Sequence, residues 1–180
     1  MVKGTSIAGR KRNDGIDFYA TPDWAVDKIL EVADLEGIVL EPCSGSGAFA
    51  KKIPNCIASD IRTDEDVYGE RGVDLFTIKE NSVDVVITNP PYCCAQEVIE
   101  HCLKVARKKV YMLLKLSFLE GMKRKDFFET TPLKKVYVFR KRITMYPSDT
   151  GEVPKNSGTI AYALYEWEHG YTGEPTICWL

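Results

Sequence analysis

The β-branched run Val83-Asp84-Val85-Val86-Ile87-Thr88 stops at Asn89-Pro90-Pro91-Tyr92. Such a run reads as a buried strand that breaks off at its carboxyl end. Pro90 disfavours helical geometry at Asn89 and has no N–H for a sheet ladder, so the strand has to end there. In open α/β sheets, ligands bind beyond the carboxyl ends of the strands. An amide, two rigid prolines and a phenol at that point make either a pocket the size of a base or a Pro-rich turn after a core strand. The tetrapeptide alone leaves both readings open.

The chain has 180 residues, which suits one domain with room for a core. No apolar run reaches membrane-spanning length, and Met1-Val2-Lys3-Gly4 lacks the hydrophobic segment of a secretory signal, so a cytoplasmic protein is expected. Cys43, Cys56, Cys93, Cys94, Cys102 and Cys178 contain no C-x-x-C pair, and His101 and His169 are not spaced to complete a metal site. Most of these thiols read as buried apolar side chains of a reducing compartment, and no metal is expected.

Charge is distributed unevenly. Residues 1–103 carry a net −8, residues 104–142 a net +10 and residues 143–180 a net −4. The overall −2 argues against a protein that coats nucleic acid non-specifically. The basic block is either a phosphate-facing surface or a solvated face.

Residues 1–17 are polar and hold Arg10-Lys11-Arg12, which reads as a flexible basic arm ahead of a single domain over 18–180. Ile16-Asp17-Phe18-Tyr19-Ala20-Thr21-Pro22 then leads into a helix. Thr21 suits the N-cap, Pro22 the first helical position and Asp23 the positive end of the dipole. Val26, Ile29, Leu30 and Ala33 recur at helical spacing, and Gly37 marks the end.

Ile38-Val39-Leu40-Glu41-Pro42-Cys43-Ser44-Gly45-Ser46-Gly47 is a strand entering a glycine-rich turn, followed by a short helix that ends at Pro54. Glycines let a ligand approach the backbone, and the turn exposes amide donors. It is not a Walker A loop, because no Gly-Lys-Ser/Thr follows. Cys56-Ile57-Ala58-Ser59-Asp60 reads as a second strand ending in a carboxylate, which alone is either a strand-end or turn Asp or an acceptor for ribose hydroxyls, the role its distance from the glycine turn favours. Residues 62–71 read as a charged loop. In Val73-Asp74-Leu75-Phe76, Asp74 is either an acceptor for an adenine amino group or a helix cap. Residues 93–108 have a helical face, Val110-Tyr111-Met112-Leu113-Leu114-Lys115-Leu116 a strand pattern, and the strands at 134–140 and 159–167 resemble a closing hairpin.

In this order the stretches resemble the class I S-adenosylmethionine-dependent methyltransferases, and among them the adenine-N6 enzymes with an Asn-Pro-Pro-Tyr motif. Phe18-Tyr19-Ala20-Thr21-Pro22 matches the family's motif ahead of the first helix. Residues 40–47 match its glycine motif, Asp60 its second-strand acid, Asp74-Leu75-Phe76 its third motif and Asn89-Pro90-Pro91-Tyr92 its catalytic motif. The C-terminal stretch is similar to small adenine methyltransferases of phages and mobile elements.

The resemblance implies a Rossmann-like α/β fold: a seven-stranded, mostly parallel sheet with an antiparallel C-terminal hairpin and helices on both faces. It implies S-adenosyl-L-methionine as cofactor. Thr21 and Glu41 would hold its methionine portion, Gly45 and Gly47 would line its path, and Asp60 would take the ribose with Ile61, Asp74 and Phe76 around the adenine; Tyr19, Pro22, Pro42, Cys43, Leu75 and Asn89 would complete the cofactor site. Asn89 and Pro90 would accept both N–H bonds of an adenine amino group, with Pro91 shaping the turn and Tyr92 stacking on the base. Phe118 and Tyr146 are candidates for a second stacking aromatic, and Lys123, Arg124 and Lys125 for phosphate contacts.

The implied reaction is methylation of adenine N6 in DNA. Adenine in RNA and a protein glutamine amide are the alternative substrates. Cytosine C5 chemistry does not fit, since the one Pro-Cys dipeptide, Pro42-Cys43, lies in the glycine turn. No residues remain for a large target-recognition domain, so a short target or loose specificity is expected.

Overall fold

The computed structural model describes residues 19–147 and 159–180. The basic arm, Phe18 and most of the loop after Tyr146 lie outside the described residues. In chain order the elements are β1 (Tyr19–Ala20), α1 (Asp23–Leu30), β2 (Val39–Glu41), β3 (Ile57–Asp60), β4 (Glu70–Arg71) and β5 (Val83–Thr88). Then follow α2 (Ala95–Val105), β6 (Ala106–Lys115), α3 (Lys125–Thr130), β7 (Leu133–Val138), β8 (Tyr146–Pro147), β9 (Tyr162–Glu168) and β10 (Thr176–Trp179). No helix among them is long and apolar enough to cross a membrane.

Eight strands form one sheet in the order β10-β7-β9-β6-β5-β2-β3-β4. Every neighbouring pair is parallel except those made by β9, which runs antiparallel to both β6 and β7. The Rossmann-like α/β sheet with its antiparallel C-terminal strand is therefore as expected. The strand count is eight rather than seven, because residues 176–179 add an outer strand alongside β7. Ile177 and Trp179 stay exposed there, so β10 carries no alternating burial that a sequence pattern would reveal.

Side-chain alternation divides the core between the two faces. Val39, Val85, Ile87, Tyr111 and Leu113 point to the face covered by Ala25, Val26 and Ile29 of α1. Leu40, Val86, Val110, Met112 and Leu114 point to the face covered by α2, with Phe127 of α3 beside Tyr165 and Trp167. Fully burying one such side chain is worth about 1.5–3 kcal/mol. That gain holds α1 and α2 against the sheet although each is short.

Four expectations about local structure change. The helix after the glycine turn does not form, and residues 42–55 are a series of linked turns. Gly47 has φ +83°, and the Ala50 N–H bonds to Glu41 Oε2 at 2.7 Å rather than to the backbone four residues earlier. The helix predicted over 93–108 ends at Val105 and passes directly into β6. Ala106 is buried, Arg107 reaches Asp84 at 3.0 Å and Lys109 reaches Asp34 at 2.6 Å, contacts that outweigh the helical preference of that stretch.

Gly37 does not close the first helix, which stops at Leu30. It has φ +108°, and a Cβ there would overlap the Asp84 carboxylate, which accepts the Ile38 N–H at 2.8 Å. The stretch 62–71, read as a loop, contributes the two-residue edge strand β4, paired with Ser59 and Asp60.

Candidate active site

The parallel strands deliver the matched motifs to one edge of the sheet. Glu41 ends β2, Asp60 ends β3, Thr88 ends β5 with Asn89 next, and Lys115 ends β6. Tyr162 starts the antiparallel β9 at the same edge, in register with Lys115.

Asn89 is fixed from two sides. Its Nδ2 donates to Thr21 Oγ1 at 3.3 Å, and its Oδ1 accepts the Tyr92 hydroxyl at 2.9 Å. Thr21 is therefore not the cap of α1: Pro22 occupies the cap position, with no side-chain hydrogen bond, and the buried threonine hydroxyl orients the asparagine. Pro90 is buried, Pro91 starts the 3₁₀ turn Tyr92–Cys94, and its carbonyl accepts the Cys94 N–H at 3.4 Å.

The glycine turn is tied to the neighbouring strand ends. Asp60 Oδ2 accepts the Gly45 N–H at 2.8 Å and Oδ1 the Arg62 N–H at 2.9 Å. Ser44 donates its N–H to the Ser59 carbonyl and its hydroxyl to the Tyr68 carbonyl. Thr88 Oγ1 lies 3.5 Å from the Cys43 carbonyl. Pro42 is buried in the same turn, and burial pushes the Cys43 thiol well above its ordinary pKa, which disfavours the thiolate.

The Glu41 carboxylate is buried, and its pKa is pushed up to about 8. Burial is the main cause, opposed by the amides of Ala50 and Phe49 and reinforced by the charge of Asp60. A carboxylic acid close to neutrality behind a glycine turn is poised to ionise when a cation arrives.

Asp74 caps the 3₁₀ turn Leu75–Thr77 by accepting the Phe76 N–H at 3.1 Å, the second of its two sequence readings. Leu75 is core. Ile61, Phe76 and Tyr92 pack on the rim of the α2-side cluster, with the Phe76 ring edge-on to His101 at 5.4 Å. β1 pairs antiparallel with β8, which sets Ala20 opposite Tyr146 and Tyr19 opposite Pro147.

Two substrate-side expectations are corrected. Phe118 is buried, edge-on to Phe127, Phe128 and Tyr165 at 6.1, 5.8 and 5.8 Å, and is a core aromatic. The Arg124 guanidinium lies over the Phe118 ring at 4.3 Å and donates to the carbonyls of Phe118 and Glu120, so it braces the turn after β6. Lys123 is exposed, and Lys125 lies 3.6 Å from Glu129.

Tyr162 and Lys115 were missed as site residues in the sequence. The Tyr162 ring is 6.1 Å from that of Tyr92, and Lys115 Nζ lies 5.0 Å from the Tyr92 ring centre. Tyr68, read as loop, lies against the glycine turn with its N–H on the Gly45 carbonyl at 2.8 Å. Only strand register brings the first two beside Tyr92.

No family model and no curated protein sequence matches the chain. Solved structures do match. A proposed RNA methyltransferase from Pyrococcus horikoshii is 17% identical with a TM-score of 0.61, over 83% of this chain and 85% of that one. The magnesium protoporphyrin IX methyltransferase of Synechocystis, solved with bound S-adenosylmethionine, is 14% identical with a TM-score of 0.52, over 81% and 78% of the two chains. A modification subunit of a proposed type I restriction enzyme from Vibrio vulnificus is 13% identical with a TM-score of 0.57, over 88% of this chain and 45% of that one. The fold is thus the Rossmann-like fold of S-adenosylmethionine-dependent methyltransferases.

Proposed function

We propose that this protein transfers the methyl group of S-adenosyl-L-methionine to the exocyclic N6 amino group of adenine in a nucleic acid, DNA first. The observation that carries this reading is Asn89, held by Thr21 and Tyr92 with its amide oxygen presented at the sheet edge.

The residues present fit the cofactor. The buried Glu41 acid is suited to an ammonium group and Thr21 to a carboxylate. Each Asp60 oxygen keeps an acceptor position for a ribose hydroxyl beyond the amide it already binds. When bound, the cofactor supplies an electrophilic methyl group on a sulfonium.

An adenine amino group is conjugated with its ring and is a weak nucleophile. Asn89 Oδ1 and the Pro90 carbonyl accept its two N–H bonds, which favours tetrahedral nitrogen and turns the lone pair away from the ring. This is positioning with electrostatic stabilisation and no covalent intermediate. Tyr92, backed by Tyr162, offers a stacking face to the base.

Incubation with labelled cofactor and unmethylated duplex DNA, total RNA or protein extract tests the reading. Label in DNA, recovered as N6-methyladenine, is the expected result. Label in RNA moves the substrate while preserving the chemistry, and label confined to protein refutes the nucleic-acid reading in favour of a glutamine amide.

A further inference from the structure

The basic block of the sequence is divided by the fold. Arg107, Lys108, Lys109 and Lys134 sit at the amino edge of the sheet, and each meets a carboxylate: Asp84 at 3.0 Å, Glu36 at 3.9 Å, Asp34 at 2.6 Å and Glu168 at 2.6 Å. That end of the block is neutralised and points away from the candidate site.

Arg140-Lys141-Arg142 follows the carboxyl end of β7, and its three side chains are exposed. Among the described residues none of them has a carboxylate within ion-pair distance. The Arg142 guanidinium reaches the Thr159 carbonyl at 3.4 Å, and Lys141 Nζ stands 4.6 Å over the Trp24 ring. Asp23, beside Trp24, faces Lys52 at 3.7 Å.

The tract is anchored to the site on two sides. Phe139 donates its N–H to the Tyr162 carbonyl at 3.3 Å, and Tyr162 is the ring beside Tyr92. Trp24, edge-on to Phe139 at 6.0 Å, is one turn of chain beyond Thr21, which orients Asn89. Three cations without an acidic partner among the described residues therefore border the edge of the candidate site, beside a sheet bond and a cation–π contact.

We infer that Arg140, Lys141 and Arg142 form a track for the phosphodiester backbone of the strand that carries the target adenine. The inference rests on the nucleic-acid reading of the site above. Three consecutive exposed cations just past a strand end can meet successive phosphates, and each contact releases counterions on binding. The start of the tract is tied to the neighbouring chain by the Arg140 N–H, which donates to the Leu180 carbonyl oxygen at 2.9 Å.

The test is fluorescence anisotropy of the full chain on a labelled adenine-containing duplex and on a labelled single-stranded RNA across a range of salt. Replacing Arg140, Lys141 and Arg142 together by Ala is expected to flatten the slope of log K against log salt by about 2–3 on the preferred polymer. The swap Arg140→Lys, Lys141→Arg, Arg142→Lys retains the slope, which separates charge from folding. Lys104→Ala with Lys108→Ala at the far edge leaves it unchanged.

An unchanged slope in the triple Ala variant, or an equal loss in the far-edge variant, overturns the track while wild-type methylation of nucleic acid leaves the active-site reading standing. Wild-type protein that neither binds nor methylates either polymer overturns both. Cofactor affinity, measured separately, is expected to be the same in every variant.

Discussion

The Tyr92 hydroxyl donates to Asn89 Oδ1 at 2.9 Å, so the phenol and the amide that follows β5 hold each other. Since the same asparagine gives its Nδ2 to Thr21, its oxygen faces one direction before any substrate arrives.

Asn89→Ala is expected to reduce turnover by at least about 100-fold, the usual loss for one preorganised electrostatic contact, while cofactor affinity changes little. Tyr92→Phe keeps the ring and costs less than about 10-fold, whereas Tyr92→Ala removes a stacking contact of about 1–3 kcal/mol and raises KM for nucleic acid. Steady-state kinetics on the methylated polymer separate these outcomes, and full turnover by Asn89→Ala would remove it from the chemistry.

Glu41 gives a pH dependence with a definite sign. Its folded pKa of about 8 lies above the ordinary 4.5, so the folded protein binds the extra proton between those values. Its contribution to stability is fully present below about pH 4.5 and is lost as pH rises through 8. Glu41→Gln should flatten that part of the stability curve, measured as Tm from pH 5 to 9.

The same group predicts proton release on cofactor binding. At pH 6.5 Glu41 is neutral in the free protein and is expected to ionise against the incoming ammonium, releasing up to about one proton. Calorimetry in two buffers of different ionisation enthalpy reads this number, and Glu41→Gln should abolish it. No release from the wild-type protein would place the ammonium elsewhere.

At Gly47 a Cβ would come within 2.7 Å of the Tyr68 ring, at a φ of +83°. Gly47→Ala is expected to destabilise by about 1–3 kcal/mol from the backbone conformation and the overlap together. Adding Tyr68→Ala removes the ring overlap but keeps the Tyr68 Cβ at 2.7 Å, so it should recover only part of the steric share, as a double-mutant cycle in urea would show.

Phe118→Ala distinguishes core from substrate contact. Loss of a buried phenylalanine costs about 3–5 kcal/mol, a fall in Tm of about 10 °C for a chain of this size. Its KM for nucleic acid should stay near that of the wild-type protein at temperatures where both are folded.

The order of elements and the matched motifs were legible because each is local. A β-branched run stopped by proline, glycines behind a strand and an acid two elements later constrain their own backbone whatever else the chain does. Asp74 illustrates where local reading runs out: capping and ligand binding demand the same residue, and only the Phe76 N–H at 3.1 Å shows the cap in place.

The sequence by itself determined the parallel α/β sheet and the residues gathered at its carboxyl edge, since period-two burial and chain-breaking residues are written in consecutive positions. Tertiary structure alone decided which side chains meet there. Thr21 leaves its cap for Asn89, Tyr162 comes beside Tyr92 through the antiparallel register of β9, and Phe118 turns into the core. It also decided which cations are neutralised, because ion pairing depends on which strand ends are neighbours, and strand order is a non-local property that no run of residues encodes alone.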